Sequence, residues 1–366
     1  MDFRRFLAVL AFTASALSLD AQIKYRDASS LPLYGRATDS MENRYERLPD
    51  SLATSIRPEL ASLGRNSAGL YIRFRSNSST ISARWVNSSA FAMPHMADTG
   101  VSGLDLYTLT EDGWRYCGTA KPRHGTVENE KVLVANMTRK EREFMLYLPL
   151  YNGVRRIEIG TDEDATLEGP HKDSPRAGGQ IVFYGTSILQ GGCCSRPGMV
   201  FTSIISRALD RECINLGFSG NGRLDYEVAQ VMAEVDNPSV FVLDYVPNCT
   251  AENIREKGET FFRIIRKAHP DVPVIFIDNP FYGHCHVDEE ARKDVDARNE
   301  AQKELYLKLR KSGEKRIYHI TTENTVGTDC EAFVDGVHFT DLGMMRYAEN
   351  LIPVIKRRMR LGWFLK

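Results

Sequence analysis

The sequence lacks the patterns that connect a chain with nucleic acids, zinc ribbons or dinucleotide cofactors. Its formal net charge is −1 at pH 7, with acids and bases mixed along the chain, so neither a nucleic-acid surface nor a charged disordered arm is indicated. No C-x-x-C pair occurs among the seven cysteines, which removes support for a zinc ribbon or a thioredoxin-type site. Residues 217–222 follow G-x-x-G-x-G, which is not the dinucleotide fingerprint G-x-G-x-x-G.

A long apolar run is found only at the N-terminus. Arg4 and Arg5 precede an apolar stretch over residues 6–19, which is shorter than the roughly 20 residues needed to span a bilayer. We therefore predict a signal peptide over residues 1–21 and a periplasmic or extracellular protein without a stable membrane anchor after cleavage. Export makes disulfides possible, but the odd cysteine count leaves at least one thiol free or paired with another chain.

The 366 residues favour two domains, and the hydrophobic pattern changes near the middle of the chain. Residues 22–167 show short alternating strands, typical of a β-sandwich or jelly roll, with one helix predicted over 49–63. Residues 168–179 are rich in glycine, proline and charge and are predicted to be a linker. In residues 180–366 continuous apolar strands alternate with helices, which predicts an α/β domain with a parallel sheet.

In an open parallel sheet, functional side chains collect where the strands end. Ser187 follows the first predicted strand and is either a nucleophile or only a helix cap. Gly217 ends the second, where its N–H suits an oxyanion hole or only a tight turn. Asn248 follows the third, where its amide suits an oxyanion or only a turn after proline.

The pattern Asp335-Gly336-Val337-His338 precedes the last predicted helix. A tight turn at Gly336 would bring the Asp335 carboxylate onto Nδ1 of His338 and leave Nε2 free to take a proton from a serine. The alternative is a helix start with a surface histidine, but the pattern favours a catalytic pair.

The chain resembles the SGNH (GDSL-like) hydrolases, and the likeness extends over nearly the whole mature chain. The residues in the order of the four family blocks are Gly185-Thr186-Ser187, Gly217, Asn248 and Asp335-x-x-His338. Thr186 stands where many members have Asp, and Asn248 lacks the usual neighbours of a Gly-x-Asn-Asp block. The absence of G-x-S-x-G around Ser187 argues against the α/β-hydrolase alternative.

This resemblance implies a three-layer α/β/α domain with a flavodoxin-like parallel sheet, preceded by an all-β jelly-roll or β-sandwich domain. It implies a serine esterase in which Ser187 attacks an ester carbonyl, His338 takes the proton and Asp335 orients the imidazole. The oxyanion donors would be the N–H groups of Ser187 and Gly217 and the amide of Asn248. No metal and no organic cofactor is implied.

The substrate expectation also comes from the resemblance, because the layout is similar to that of secreted carbohydrate esterases, including the family 2 type. We expect a small-molecule or glycan ester whose acyl group is small, with acetyl the first choice. A lipase or thioesterase and a non-catalytic glycan-binding protein are the alternatives, although no apolar lid segment is evident and the three triad residues are present.

A second set of residues near the expected cleft carries weaker signals. Tyr245, Tyr282 and His284 are candidates for substrate contacts, with ordinary packing as the alternative for each. The sequence His284-Cys285-His286 would present two imidazoles to a metal, but no third ligand is identifiable.

Overall fold

The computed structural model describes residues 22–171 and 178–363. The predicted signal peptide and residues 172–177 of the predicted linker lie outside these ranges. Within the two ranges, no helix has both the length and the apolar character required to cross a membrane.

The first half consists of two antiparallel sheets, with strand orders β1-β9-β4-β7 and β2-β3-β8-β5-β6. The strands are β1 Ile23–Asp27, β2 Leu33–Tyr34, β3 Tyr71–Ser76, β4 Ile81–Asn87, β5 Leu104–Thr110, β6 Gly113–Ala120, β7 Glu128–Val134, β8 Arg142–Tyr147 and β9 Val154–Asp162, and the helices are α1 Pro58–Gly64 and α2 Asp98–Val101. In β4, Ala83 and Trp85 are buried in the core while Arg84 between them is exposed, which is the alternation that the sequence shows. The predicted helix over 49–63 is shorter than expected, because Pro58 lacks an N–H and begins α1 instead of continuing an earlier helix.

The second half is a parallel sheet of order β11-β10-β12-β13-β14, which is the flavodoxin-like order. Its strands are β10 Gln180–Gly185, β11 Cys213–Gly217, β12 Pro238–Asp244, β13 Val274–Ile277 and β14 Ile317–Ile320, and its helices are α3 Ser187–Gln190, α4 Phe201–Leu209, α5 Tyr226–Ala233, α6 Ala251–Ala268, α7 Glu289–Lys311 and α8 Asp341–Trp363. Residues of α5, α6 and α7 bury one face of the sheet, and residues of α4 and α8 bury the other. The predicted fold class is confirmed.

An ion pair with a fully buried carboxylate joins the two halves. Asp105 of β5 has no exposed surface, and its Oδ2 accepts from Arg196 Nη1 at 2.6 Å and from the Gly198 N–H at 2.9 Å. The Thr99 hydroxyl donates to the Ser195 carbonyl at 2.5 Å in the same segment. The antiparallel half thus holds the chain between α3 and α4 in place.

Replacing Asp105 with alanine is expected to cost about 2–3 kcal/mol of unfolding free energy, because a partly buried guanidinium and a buried amide N–H lose their acceptor. Urea unfolding of Asp105→Ala measures this loss. The matched control is Asp164→Ala, since Asp164 pairs with Arg139 but is 72% exposed, and that loss should stay below about 1 kcal/mol. Equal losses in the two variants would contradict the structural role of Asp105.

A second buried carboxyl, Asp244, ends β12 against α8. The Tyr347 hydroxyl donates to its Oδ1 at 3.2 Å. Burial raises the pKa of Asp244 to about 8, although the Tyr347 hydroxyl lowers it somewhat. Between about pH 4 and pH 8 the folded protein therefore holds one more proton at this residue than the unfolded chain does.

Because of Asp244, the free energy of unfolding therefore falls as the pH rises through this window, by on the order of 1 kcal/mol per pH unit. Asp244→Asn cannot titrate at this position. From pH 5 to pH 8 its free energy of unfolding should therefore rise relative to that of the wild type. Urea unfolding at both pH values measures the difference. The control variant Asp236→Asn, at an exposed position, should show the same change in unfolding free energy with pH as the wild type. The same change in Asp244→Asn as in the wild type would refute the prediction.

Candidate active site

Ser187 is the first residue of α3, directly after the turn that follows β10. The helix is capped by Thr186, whose hydroxyl accepts from the Ile188 N–H at 3.3 Å. Because Thr186 supplies the cap, the Ser187 hydroxyl is free for another partner. Helix α3 then ends after one turn at Gly191, whose φ of 110° is in the left-handed region that favours glycine.

The structure places Ser187, His338 and Asp335 in one hydrogen-bonded row. The distance from Ser187 Oγ to His338 Nε2 is 2.8 Å, and that from His338 Nδ1 to Asp335 Oδ2 is 2.7 Å. In the tautomer protonated at Nδ1, the ring donates to the carboxylate and Nε2 accepts from the serine hydroxyl. This geometry suits proton transfer from a nucleophile to a base that is oriented by an acid.

A tight turn of the backbone orients Asp335. Its Oδ1 accepts from the N–H groups of Val337 at 3.1 Å and His338 at 2.8 Å, and Gly336 has a φ of 88°. Partial burial acts to raise the pKa of Asp335, but the hydrogen bonds from His338 and from the Val337 N–H outweigh it and lower the pKa to about 2. The carboxylate is therefore ionised at neutral pH.

The structure corrects the prediction for Gly217. Its N–H donates to Asn215 Oδ1 at 2.9 Å inside the core, and a Cβ built on it would lie 2.3 Å from the Gln190 nitrogen. Gly217 is the last residue of β11 and belongs to the packed end of the sheet, so its N–H does not face an oxyanion.

Gly220, in the loop that follows β11, differs from its neighbours in its hydrogen bonding. The neighbouring N–H groups all have acceptors: Phe218 donates to Gly185 O, Ser219 to Gln190 Oε1, Asn221 to Phe218 O and Gly222 to Asn248 Oδ1. The Gly220 N–H has none among the described residues, and open space surrounds the position of a Cβ on this glycine. The Ser187 N–H and the Asn248 side-chain amide likewise have no acceptor in the described ranges.

Of the three weaker candidates for substrate contacts, Tyr245 is buried, whereas Tyr282 and His284 lie near the triad residues. Tyr245 is fully buried and its hydroxyl donates to Gln302 Oε1 at 2.6 Å, so the structure contradicts a substrate contact for it. The rings of Tyr282 and His284 stack with centroids 5.8 Å apart. A Cβ on Gly336 would lie 3.0 Å from His284 Nδ1, which places His284 against the turn that holds Asp335.

Two further neighbours of His338 were not predicted from the sequence. The ring of His95, in the segment before α2, lies 5.9 Å from the His338 ring between centroids. Gly192 packs so closely that a Cβ on it would lie 2.9 Å from His338 Cδ2 and 3.0 Å from the Tyr151 hydroxyl. The next residue, Cys193, is buried, and burial raises the pKa of its thiol to about 12. All seven cysteines lie within the described residues and carry free thiols.

Comparison with known proteins places the chain in a family. The model of the GDSL-like lipase/acylhydrolase family matches residues 179–356, and the model for the N-terminus of SGNH-hydrolase-type esterases matches residues 23–167. A structure of a GDSL-like lipase from Bacteroides ovatus is 37% identical, with a TM-score of 0.87, and the match covers 93% of this chain and 98% of that one. The chain belongs to the GDSL-like lipase/acylhydrolase family. It is therefore a carboxylic ester hydrolase.

Other relatives of this GDSL-like hydrolase share the fold at low identity. A salicylyl-acyltransferase from a tetracycline biosynthetic pathway is 17% identical with a TM-score of 0.73, over 93% of this chain and 97% of that one. A family two carbohydrate esterase from Cellvibrio japonicus is 11% identical with a TM-score of 0.59, over 93% and 98% of the two chains. No curated protein matches the sequence.

Gly192 provides a direct test of how tightly the hydrolase holds His338. In Gly192→Ala the new methyl group must displace the imidazole, and a shift of about 1 Å is expected to lower kcat/KM about 100-fold. Hydrolysis of p-nitrophenyl acetate measures the loss, and circular dichroism checks the fold. The control Gly169→Ala meets only Pro32 at 3.6 Å and should keep wild-type activity, whereas full activity in Gly192→Ala would refute the tight contact.

Proposed function

We propose that this hydrolase uses Ser187, His338 and Asp335 as a catalytic triad. The observation that carries the proposal is the continuous row of hydrogen bonds from Ser187 Oγ through His338 to Asp335, at 2.8 and 2.7 Å. Ser187 attacks the ester carbonyl while His338 Nε2 takes its proton, and the ionised Asp335 stabilises the imidazolium that forms. The imidazolium then protonates the leaving alcohol, and water releases the acyl group by the reverse route.

The oxyanion of the tetrahedral intermediate is assigned to three donors, the N–H groups of Ser187 and Gly220 and the side-chain amide of Asn248. Their support is that each lacks an acceptor among the described residues while the neighbouring N–H groups are satisfied. The loop that carries Gly220 packs on the end of β10, since a Cβ on Gly222 would lie 2.4 Å from the Gly185 carbonyl oxygen. Losing one such donor typically costs about 2.7–4 kcal/mol in the barrier.

The acyl group is proposed to be small, with acetyl as the first choice. Ser187 is only 6% exposed, and the Tyr151 hydroxyl, Gly192 and His338 crowd its surroundings, which leaves little space for a long chain. A carbohydrate ester is the proposed substrate because a family two carbohydrate esterase has the same fold. Export through residues 1–21 is also proposed, on the basis of Arg4, Arg5 and the apolar stretch that follows them.

The test compares wild type with Ser187→Ala on p-nitrophenyl acetate, butyrate and octanoate. Loss of the nucleophile is expected to lower kcat by about 10⁶-fold, to the background rate. In the wild type, kcat/KM should fall from acetate to octanoate. Acetylated xylan, which carries O-acetyl esters, is then tried as a substrate, with acetate release as the readout.

The matched control is Ser51→Ala, at an exposed serine in the first half of the chain, which should keep wild-type rates. Unchanged activity in Ser187→Ala would rule out the triad assignment. Rates that increase with acyl chain length would support a lipase or thioesterase and overturn the acetyl proposal.

A further inference from the structure

Four metal-binding side chains meet around the catalytic histidine. His95, Cys193, Asp335 and His338 each offer one donor atom, and the four atoms all lie within 4.8 Å of one another. We propose that this set binds a thiophilic divalent cation such as Zn²⁺, and that the bound cation switches the esterase off.

The donor set has the chemistry that zinc prefers. One thiolate, two imidazole nitrogens and one carboxylate oxygen are all common zinc ligands. In tetrahedral coordination, bonds of about 2.0–2.3 Å place the ligand atoms roughly 3.3–3.8 Å apart. Donors that lie as far apart as 4.8 Å therefore need to approach one another by about 1.0–1.5 Å.

Solvent reaches part of the set, so a cation has a route to it. The side chains of His338 and Asp335 are 21% and 35% exposed and His95 is exposed, while Cys193 is buried. Binding forms a bond between the cation and Sγ of Cys193, and the thiol proton leaves to water. No electron is transferred in this step.

Inhibition follows from the positions of the two ring nitrogens of His338. Nδ1 is hydrogen-bonded to Asp335 and Nε2 to Ser187, so coordination through either nitrogen removes one hydrogen bond of the row. A cation on Nε2 occupies the lone pair that would take the serine proton, and a cation on Nδ1 displaces Asp335. This inhibitory effect rests on the proposed triad, whereas the binding of the cation does not.

The first experiment titrates Zn²⁺ against p-nitrophenyl acetate hydrolysis, each variant being compared with its own metal-free rate. The half-inhibitory Zn²⁺ concentration is expected to rise at least about tenfold in Cys193→Ser and in His95→Gln, because each loses a ligand. A chelator should restore wild-type activity. The control is Cys330→Ser, since Cys330 is an exposed thiol with Sγ 3.9 Å from His286 Nδ1 and is the competing location. Inhibition that is unchanged in both ligand variants, or relieved in Cys330→Ser, would overturn the proposal.

The second experiment detects the cation without catalysis. Ser187→Ala keeps all four ligands, so Co²⁺ should give it a thiolate-to-cobalt charge-transfer absorption that disappears in Ser187→Ala/Cys193→Ser and persists in Ser187→Ala/Cys330→Ser. Absence of the band in Ser187→Ala would refute the site. An active Ser187→Ala would contradict the triad instead, and the cobalt spectrum would still decide the metal site.

Discussion

Asp105 is a carboxylate with no exposed surface, and its hydrogen bonds to Arg196 and Gly198 fix the chain between α3 and α4. That segment includes Gly192, which leaves no room for a methyl group beside His338. A buried charge of this kind is costly unless its partners remain in place, so the segment has little freedom to move. The position of the His338 imidazole therefore depends on a strand of the antiparallel half.

Arg47 joins the two halves in a similar way at the end of β11. Its guanidinium is buried and donates to the carbonyl oxygens of Leu63, Asn66, Asn215 and Gly217. Burial lowers the pKa of Arg47 to about 9, and backbone carbonyl oxygens accept the hydrogen bonds that its guanidinium donates. Arg47 thus fixes the end of β11, from which the loop carrying Gly220 departs.

The sequence was sufficient for the fold class and for the positions of Ser187, Asp335 and His338. Buried apolar strands and an Asp-Gly-x-His turn have strong local signals, and the structure brings the three side chains together, although their catalytic roles stay a prediction. The choice between Gly217 and Gly220 could not be made, because it depends on the residue at which β11 ends. Tyr245 was misjudged because a tyrosine after a strand gives no sign of which side of the sheet it packs on. His95 had no local signal, since only the packing of the two halves brings it to His338.

The contacts across the two halves also bear on how such a chain can change in evolution. Asp105 and Arg47 come from the first half, while Arg196, Asn215 and Gly217 come from the second, and each pairing leaves buried polar groups unsatisfied if one side is lost. Recombination that exchanged one half for that of a distant relative would have to conserve both pairings at once. The two halves are therefore expected to be inherited together, with divergence concentrated at surface positions away from these contacts.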